Sequence, residues 1–149
     1  MTFKQKIHQI YLQLLQDKID VFQDMIVALT EDSKNDAKGS AGDKHETALS
    51  MMHIEQEKLN NKLAEHLAQK NIFDKIDSSQ IHKKIALGSL VKANDLMLYI
   101  SAAFPKITVD NKSIFAISPQ SPLGSQLLGK EIGSTVVVNQ KDYLIEMIM

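Results

Sequence analysis

The sequence predicts an α+β protein. Residues 1–73 read as a long antiparallel α-helical coiled-coil hairpin, and residues 74–149 as a small antiparallel β-sheet domain with one short helix. Three observations predict this. Apolar residues in the first part recur at alternating steps of three and four, the period of a helix with one buried stripe. Composition shifts near residue 74: all three prolines, four of the six glycines and most β-branched residues follow it. Beyond that point, short apolar runs separated by polar turn residues replace the helical period, which is the pattern of strands.

The first arm carries Phe3, Ile7, Ile10 and Leu14, then Leu15, Ile19, Phe22, Ile26 and Leu29. The step from Leu14 to Leu15 breaks the period, and a run through Tyr11 absorbs it as a stutter. The second arm carries Leu49, Met52, Gln56, Leu59, Leu63 and His66 on one stripe. Arms of about 28 residues are roughly 42 Å long at the helical rise. A hairpin of that length has no third layer to cover it, so the expected form is a rod with a polar end. Between the stripes lies TEDSKNDAKGSAGDKHET, residues 30–47, whose only apolar residues are Ala37 and Ala41. Within it, residues 31–47 are the expected acidic tip, with Glu31, Asp32, Asp36, Asp43 and Glu46 beside Lys34, Lys38 and Lys44. Gly39 and Gly42 permit the positive φ values of a reversal. Asp43 and Glu46 also have the spacing of a capping box, a purely structural role.

In the second part, Leu90-Val91 and Asp95–Ser101 read as strands, and Lys106–Ile117 as two more around the turn Asp110-Asn111. SPLGSQLLG reads as a short helix with Ser121 as N-cap, Pro122 at its first position, and Gly129 and Gly133 closing it. Two final strands, Ser134–Val138 and Tyr143–Met147, flank the polar turn Asn139–Asp142.

Composition excludes several classes of function. A net charge of −1, from 17 basic and 18 acidic residues, gives no support for general nucleic-acid binding through a basic face. The absence of cysteine excludes disulfides and thiolate metal sites. No apolar run approaches the roughly 20 residues that span a bilayer, and MTFKQKIHQIYLQ lacks the features of a signal peptide. A cytoplasmic protein without membrane contacts is the expectation. His8, His45, His53, His66 and His82 are scattered, no nucleophile–base pair stands out, and GKEIGS lacks the phosphate-loop pattern. The acidic tip remains. Mg²⁺ takes oxygen ligands in an octahedron that two carboxylates cannot fill, so such a tip suits a site completed by a partner.

Two stretches carry a resemblance along nearly the whole chain. Gly42-Asp43-Lys44-His45-Glu46-Thr47-Ala48 is similar to a G-D-x-x-E-N-A tip between two long helices. Ser121-Pro122-Leu123-Gly124-Ser125-Gln126-Leu127-Leu128-Gly129-Lys130, followed by Gly133 and Val136-Val137-Val138, is similar to S-P-[IL]-x-x-x-L-[IL]-G-K. Together these resemble the Gre transcript-cleavage factors of bacterial RNA polymerase, the GreA/GreB family. The resemblance implies an FKBP-like C-terminal domain and an accessory factor, not an enzyme in its own right. It implies docking on RNA polymerase, with Ser121, Pro122, Leu123, Gly129 and Lys130 as the partner-binding residues. The hairpin would reach through the secondary channel, where Asp43 and Glu46 are the catalytic pair. They would hold Mg²⁺ jointly with the polymerase, beside the nascent RNA 3′ end. Transcription elongation, transcription regulation and DNA binding come with the resemblance, as does a monomer when free.

Two positions depart from the family tip: Thr47 stands for the asparagine, and Ser50 for an aromatic residue. Some relatives keep the architecture but inhibit the polymerase, so a non-cleaving regulator in the same channel is the alternative. An FKBP-like sheet also raises a prolyl isomerase. That reading ranks lowest, because the chain has no tryptophan and its second half offers only Tyr99, Phe104, Phe115 and Tyr143.

Overall fold

The computed structural model describes the backbone of residues 1–37 and 42–149; for residues 33, 35–37 and 42–46 it describes the backbone alone. Two helices, α1 (Phe3–Ala37) and α2 (Gly42–Asp74), precede six strands. The strands are β1 (Leu90–Ala93), β2 (Leu96–Ile100), β3 (Phe104–Val109), β4 (Lys112–Ile117), β5 (Thr135–Val138) and β6 (Lys141–Ile148), with α3 (Pro122–Leu127) between β4 and β5. Among the described residues no helix is long and apolar enough to cross a membrane. The chain forms two compact units, Met1–Tyr11 with Asn71–Met149, and Leu12–Lys70.

In the Leu12–Lys70 unit the two helices run antiparallel. Phe22 meets His66 with ring centroids 5.3 Å apart, and farther along α1 Thr30 meets the earlier residue Gln56 of α2. The seam follows the expected stripes. Leu15 and Ile19 are buried while Leu14 is exposed, so the face does run through Tyr11 and Leu15. On α2, Leu59 is buried, and Leu49, Met52, Gln56, Leu63 and His66 are half-buried. The helices reach farther than the apolar stripes. α1 continues to Ala37 and α2 begins at Gly42, so much of the 30–47 segment, expected as a polar connection, is helical. No glycine or proline interrupts residues 30–37. Lys34 in the last turn of α1 complements the helix dipole.

The other unit is built on one sheet in the order β3-β4-β2-β1-β6-β5. Three two-residue hairpin loops shape it: Asn94-Asp95, Asp110-Asn111 and Asn139-Gln140. All six residues have positive φ, between 49° and 66°, as type I′ turns require. One pair corrects the antiparallel expectation: β2 and β4 are parallel. After β2 the chain crosses to the sheet edge as β3. The Asp110-Asn111 turn then returns β4 into the gap, antiparallel to β3 and so parallel to β2.

This order makes β2 central and explains why Met97-Leu98-Tyr99-Ile100 is buried throughout rather than alternating. One face packs Leu98, Ile100, Val91, Ala93, Ile145 and Ile148 with Leu127 of α3, Val136 and Ile85. Ile145 and Ile148 share that face despite an odd spacing because a bulge opposite Lys92 and Ala93 absorbs one residue. Other buried groups of the unit include Ile7, Tyr11, Phe73, Tyr99 and Ile114. Composition divides the chain at 73/74; packing adds the first eleven residues to the sheet unit because Ile7, His8 and Tyr11 are buried within it.

Candidate functional site

Asp43 and Glu46 fall within the first turns of α2, whose bounds are Gly42–Asp74. Their side chains, with those of Asp36 and Lys44, lie outside the described residues, as do Lys38 and Gly39 altogether. The capping and metal roles expected of Asp43 and Glu46 both fall there. On the described side of the reversal, Glu31, Asp32 and Lys34 of α1 are exposed, as are Thr47 and Ser50 of α2. Among the described residues no three histidine or carboxylate groups converge on a point that could hold a metal.

The SPLGSQLLGK stretch is described in full. Ser121 is the N-cap expected of it: its Oγ accepts from Gly124 N–H at 3.0 Å and donates to Ser118 O at 2.7 Å. Pro122 occupies the first turn, where no N–H is needed. Leu123 packs on the core beneath, and Leu127 is fully buried. Gly129 takes φ +78° and donates to Ile85 O at 2.7 Å, and Lys130 O accepts from Ile85 N–H at 2.9 Å. Thus Ser121, Leu123 and Gly129 hold α3 on the sheet, while Pro122 and the Lys130 side chain are exposed. Gly124, which is not among the expected site residues, is the tightest glycine of the stretch. A Cβ there would lie 2.0 Å from Ser118 O.

The chain is similar to solved structures of Gfh1. "GreA factor homolog 1 (Gfh1)" of Thermus thermophilus is 15% identical over 93% of this chain and 94% of that one, with a TM-score of 0.35. Thermus aquaticus Gfh1 is 16% identical over 91% and 92%, with a TM-score of 0.36. A further structure of the transcription factor Gfh1 is 16% identical over 92% of both chains, with a TM-score of 0.35. No protein-family model and no curated protein matches the chain.

The sheet unit also holds a buried polar cluster outside the expected site residues. His8 Nδ1 and the Tyr99 hydroxyl share a hydrogen bond of 2.8 Å, and the Tyr11 hydroxyl donates to Ile114 O at 3.2 Å. Lys4 is buried, and its Nζ donates to Gln80 O. Burial holds the His8 imidazole below its ordinary pKa and Lys4 likewise; Asp74 and Asp77 respectively oppose the shifts. Burial raises both tyrosines. Nearby, Ser89 Oγ accepts from Ala86 N–H and bonds His82 Nδ1 at 2.9 Å, bracing the turn into β1. Ser89 is fully buried, so this serine–histidine contact is structural rather than nucleophilic. The signal was available: Lys4, His8 and Tyr11 stand at helical spacing beside Ile7 on the packed face of α1.

His8 makes stability depend on pH. The unfolded chain protonates it near its ordinary value of about 6.5, the folded chain only at lower pH. Below that value the unfolded state holds more protons, so its stabilising effect is complete above it and declines as pH falls. Denaturant midpoints should therefore drop from about pH 7.5 to about pH 5.5. In His8→Gln that drop should be smaller; an unchanged slope would show that His8 does not carry it.

Proposed function

We propose that this chain is a Gre-type accessory factor that enters the secondary channel of bacterial RNA polymerase. One observation carries the reading: the Gly42–Ala48 stretch stands at the reversal of a long antiparallel hairpin, with Asp43 and Glu46 in the first turns of the returning helix. The arms of the Leu12–Lys70 unit, the parts of α1 and α2 outside the sheet unit, are roughly 40 Å long, a suitable length for reaching a recessed centre. The sheet unit docks outside. Ser121, Leu123 and Gly129 fix α3, and Pro122 and Lys130 meet the polymerase.

The donor chemistry of the tip fits Mg²⁺: hard carboxylate oxygens from Asp43 and Glu46, too few to complete an octahedron, leave room for polymerase ligands and water. When held there, the ion supplies charge stabilisation and an oriented water for cutting a backtracked transcript. The two carboxylates do the binding and orienting, and the polymerase performs the cleavage.

The test is a stalled polymerase complex with 3′-labelled RNA. Wild-type protein should release short 3′ fragments. Asp43→Ala and Glu46→Ala should each cut that rate by about 100-fold while still competing for the polymerase. Normal cleavage by both variants would refute the tip assignment. Thr47 and Ser50, where the family carries asparagine and an aromatic residue, favour a second reading as a non-cleaving regulator. Inhibition of RNA synthesis with no fragments released would select it.

A further inference from the structure

Most layers of the Leu12–Lys70 seam are apolar and interchangeable. Tyr11 stacked on Phe73 ties the two helices at the sheet end; farther toward the reversal an apolar heptad pattern matches itself again after a shift along the axis, so such layers hold the local offset only weakly. One layer is different. Thr30 Oγ1 donates to Ile26 O, one turn back, at 2.8 Å, and accepts from Gln56 Nε2 at 3.1 Å. Both side chains are half-buried. A slip of one turn in either direction takes Gln56 away from the hydroxyl, one way toward the apolar Ile26 and the other toward the exposed Lys34, and leaves Thr30 without this cross-seam donor. The Phe22–His66 layer is compatible with the same offset but does not select it. His66 Nδ1 is already bonded within its own helix, to Gln69 Oε1 at 3.0 Å.

We propose that Thr30 and Gln56 are positioning residues that lock the axial register of the hairpin. The register sets how far each arm extends toward the reversal. A slip of one helical turn moves one arm past the other by about 5.4 Å. The lock itself is a property of the free protein. Its consequence for the height of Asp43 and Glu46 in a polymerase channel rests on the function proposed above.

The chain has no cysteine, so two introduced ones can be labelled cleanly. Val21 and Met51 are exposed on opposite arms and stand roughly 21 Å apart along the axis, so an axial slip changes their separation almost one for one. With nitroxides at these positions in the full chain, electron paramagnetic resonance should read one narrow separation. Thr30→Ser keeps the hydroxyl and should keep that separation. Thr30→Val and Gln56→Leu should add a second population displaced by about 5 Å. A single native separation in both overturns the lock, as does the same second population in Thr30→Ser, which would assign register to packing. Thr30→Val is nearly isosteric and decides the matter should Gln56→Leu unfold. No polymerase enters the measurement, so failure of the functional reading leaves its outcome intact.

Discussion

Replacing Gly124 by alanine should destabilise the protein by about 3 kcal/mol, the upper part of the range for overpacking. The added Cβ would sit 2.0 Å from the carbonyl oxygen of Ser118 and 2.8 Å from Ser121 Oγ. The first neighbour is backbone, which cannot rotate away. It is also the acceptor for the Ser121 hydroxyl, so relieving the clash opens the cap of α3. A drop in melting temperature of roughly 6–12 °C would follow for a chain of this size. Gly129→Ala is the informative comparison. A Cβ there meets nothing within 4 Å, but φ is +78°, so only conformational strain of about 1 kcal/mol applies. Equal losses in thermal melts of the two variants would refute the steric account of Gly124.

Tyr11→Ala should cost about 4 kcal/mol, as large buried aromatics do. Tyr11 is fully buried, and its ring stacks on Phe73 at 5.4 Å and Tyr99 at 6.1 Å, with the edge of Phe104 at 5.5 Å. Truncation removes the ring common to these three contacts and leaves a cavity between the start of α1 and the sheet. Tyr11→Phe separates ring from hydroxyl. It loses only the bond to Ile114 O, worth about 1 kcal/mol. Denaturant titrations of the three proteins check both figures. A loss below about 1 kcal/mol for Tyr11→Ala would mean that the N-terminal turns are not integral to the sheet unit.

These two residues show what was legible. Gly124 stands inside a stretch that the sequence marks strongly, through Ser121-Pro122 at its start and Gly129 at its end. The marks announce a short helix, and α3 spans Pro122–Leu127. They do not announce that Ser118 closes over Gly124, since that approach depends on the path of the chain leaving β4. Tyr11 was legible as the residue that carries the apolar stripe past Leu14. Its partners Phe73, Tyr99 and Phe104 are too distant along the chain for periodicity to connect. The same holds for His8, which a scan for paired histidines passes over because its partner is a tyrosine hydroxyl. Of the candidate site, the sequence makes the acidic pair visible through its neighbours Gly42 and Ala48. The side chains of Asp43 and Glu46 lie outside the described residues.

Element types and their order follow from local sequence alone. Helical period, strand alternation and turn residues are local signals, governed by dihedral preference and by which side of an element is apolar. Local sequence also determines that the seam runs through Tyr11 and Leu15 and carries Gln56 and His66 among leucines. Which strands become neighbours is settled by packing of the whole sheet unit. The parallel β2–β4 pair exists because β4 fills a gap that β3 leaves, and both outcomes use the same Asp110-Asn111 turn. Tertiary structure likewise added residues 1–11 to the sheet unit and paired Thr30 with Gln56. Such choices depend on which buried surfaces and hydrogen bonds can be satisfied together, and that is a property of the packed chain rather than of any segment of it.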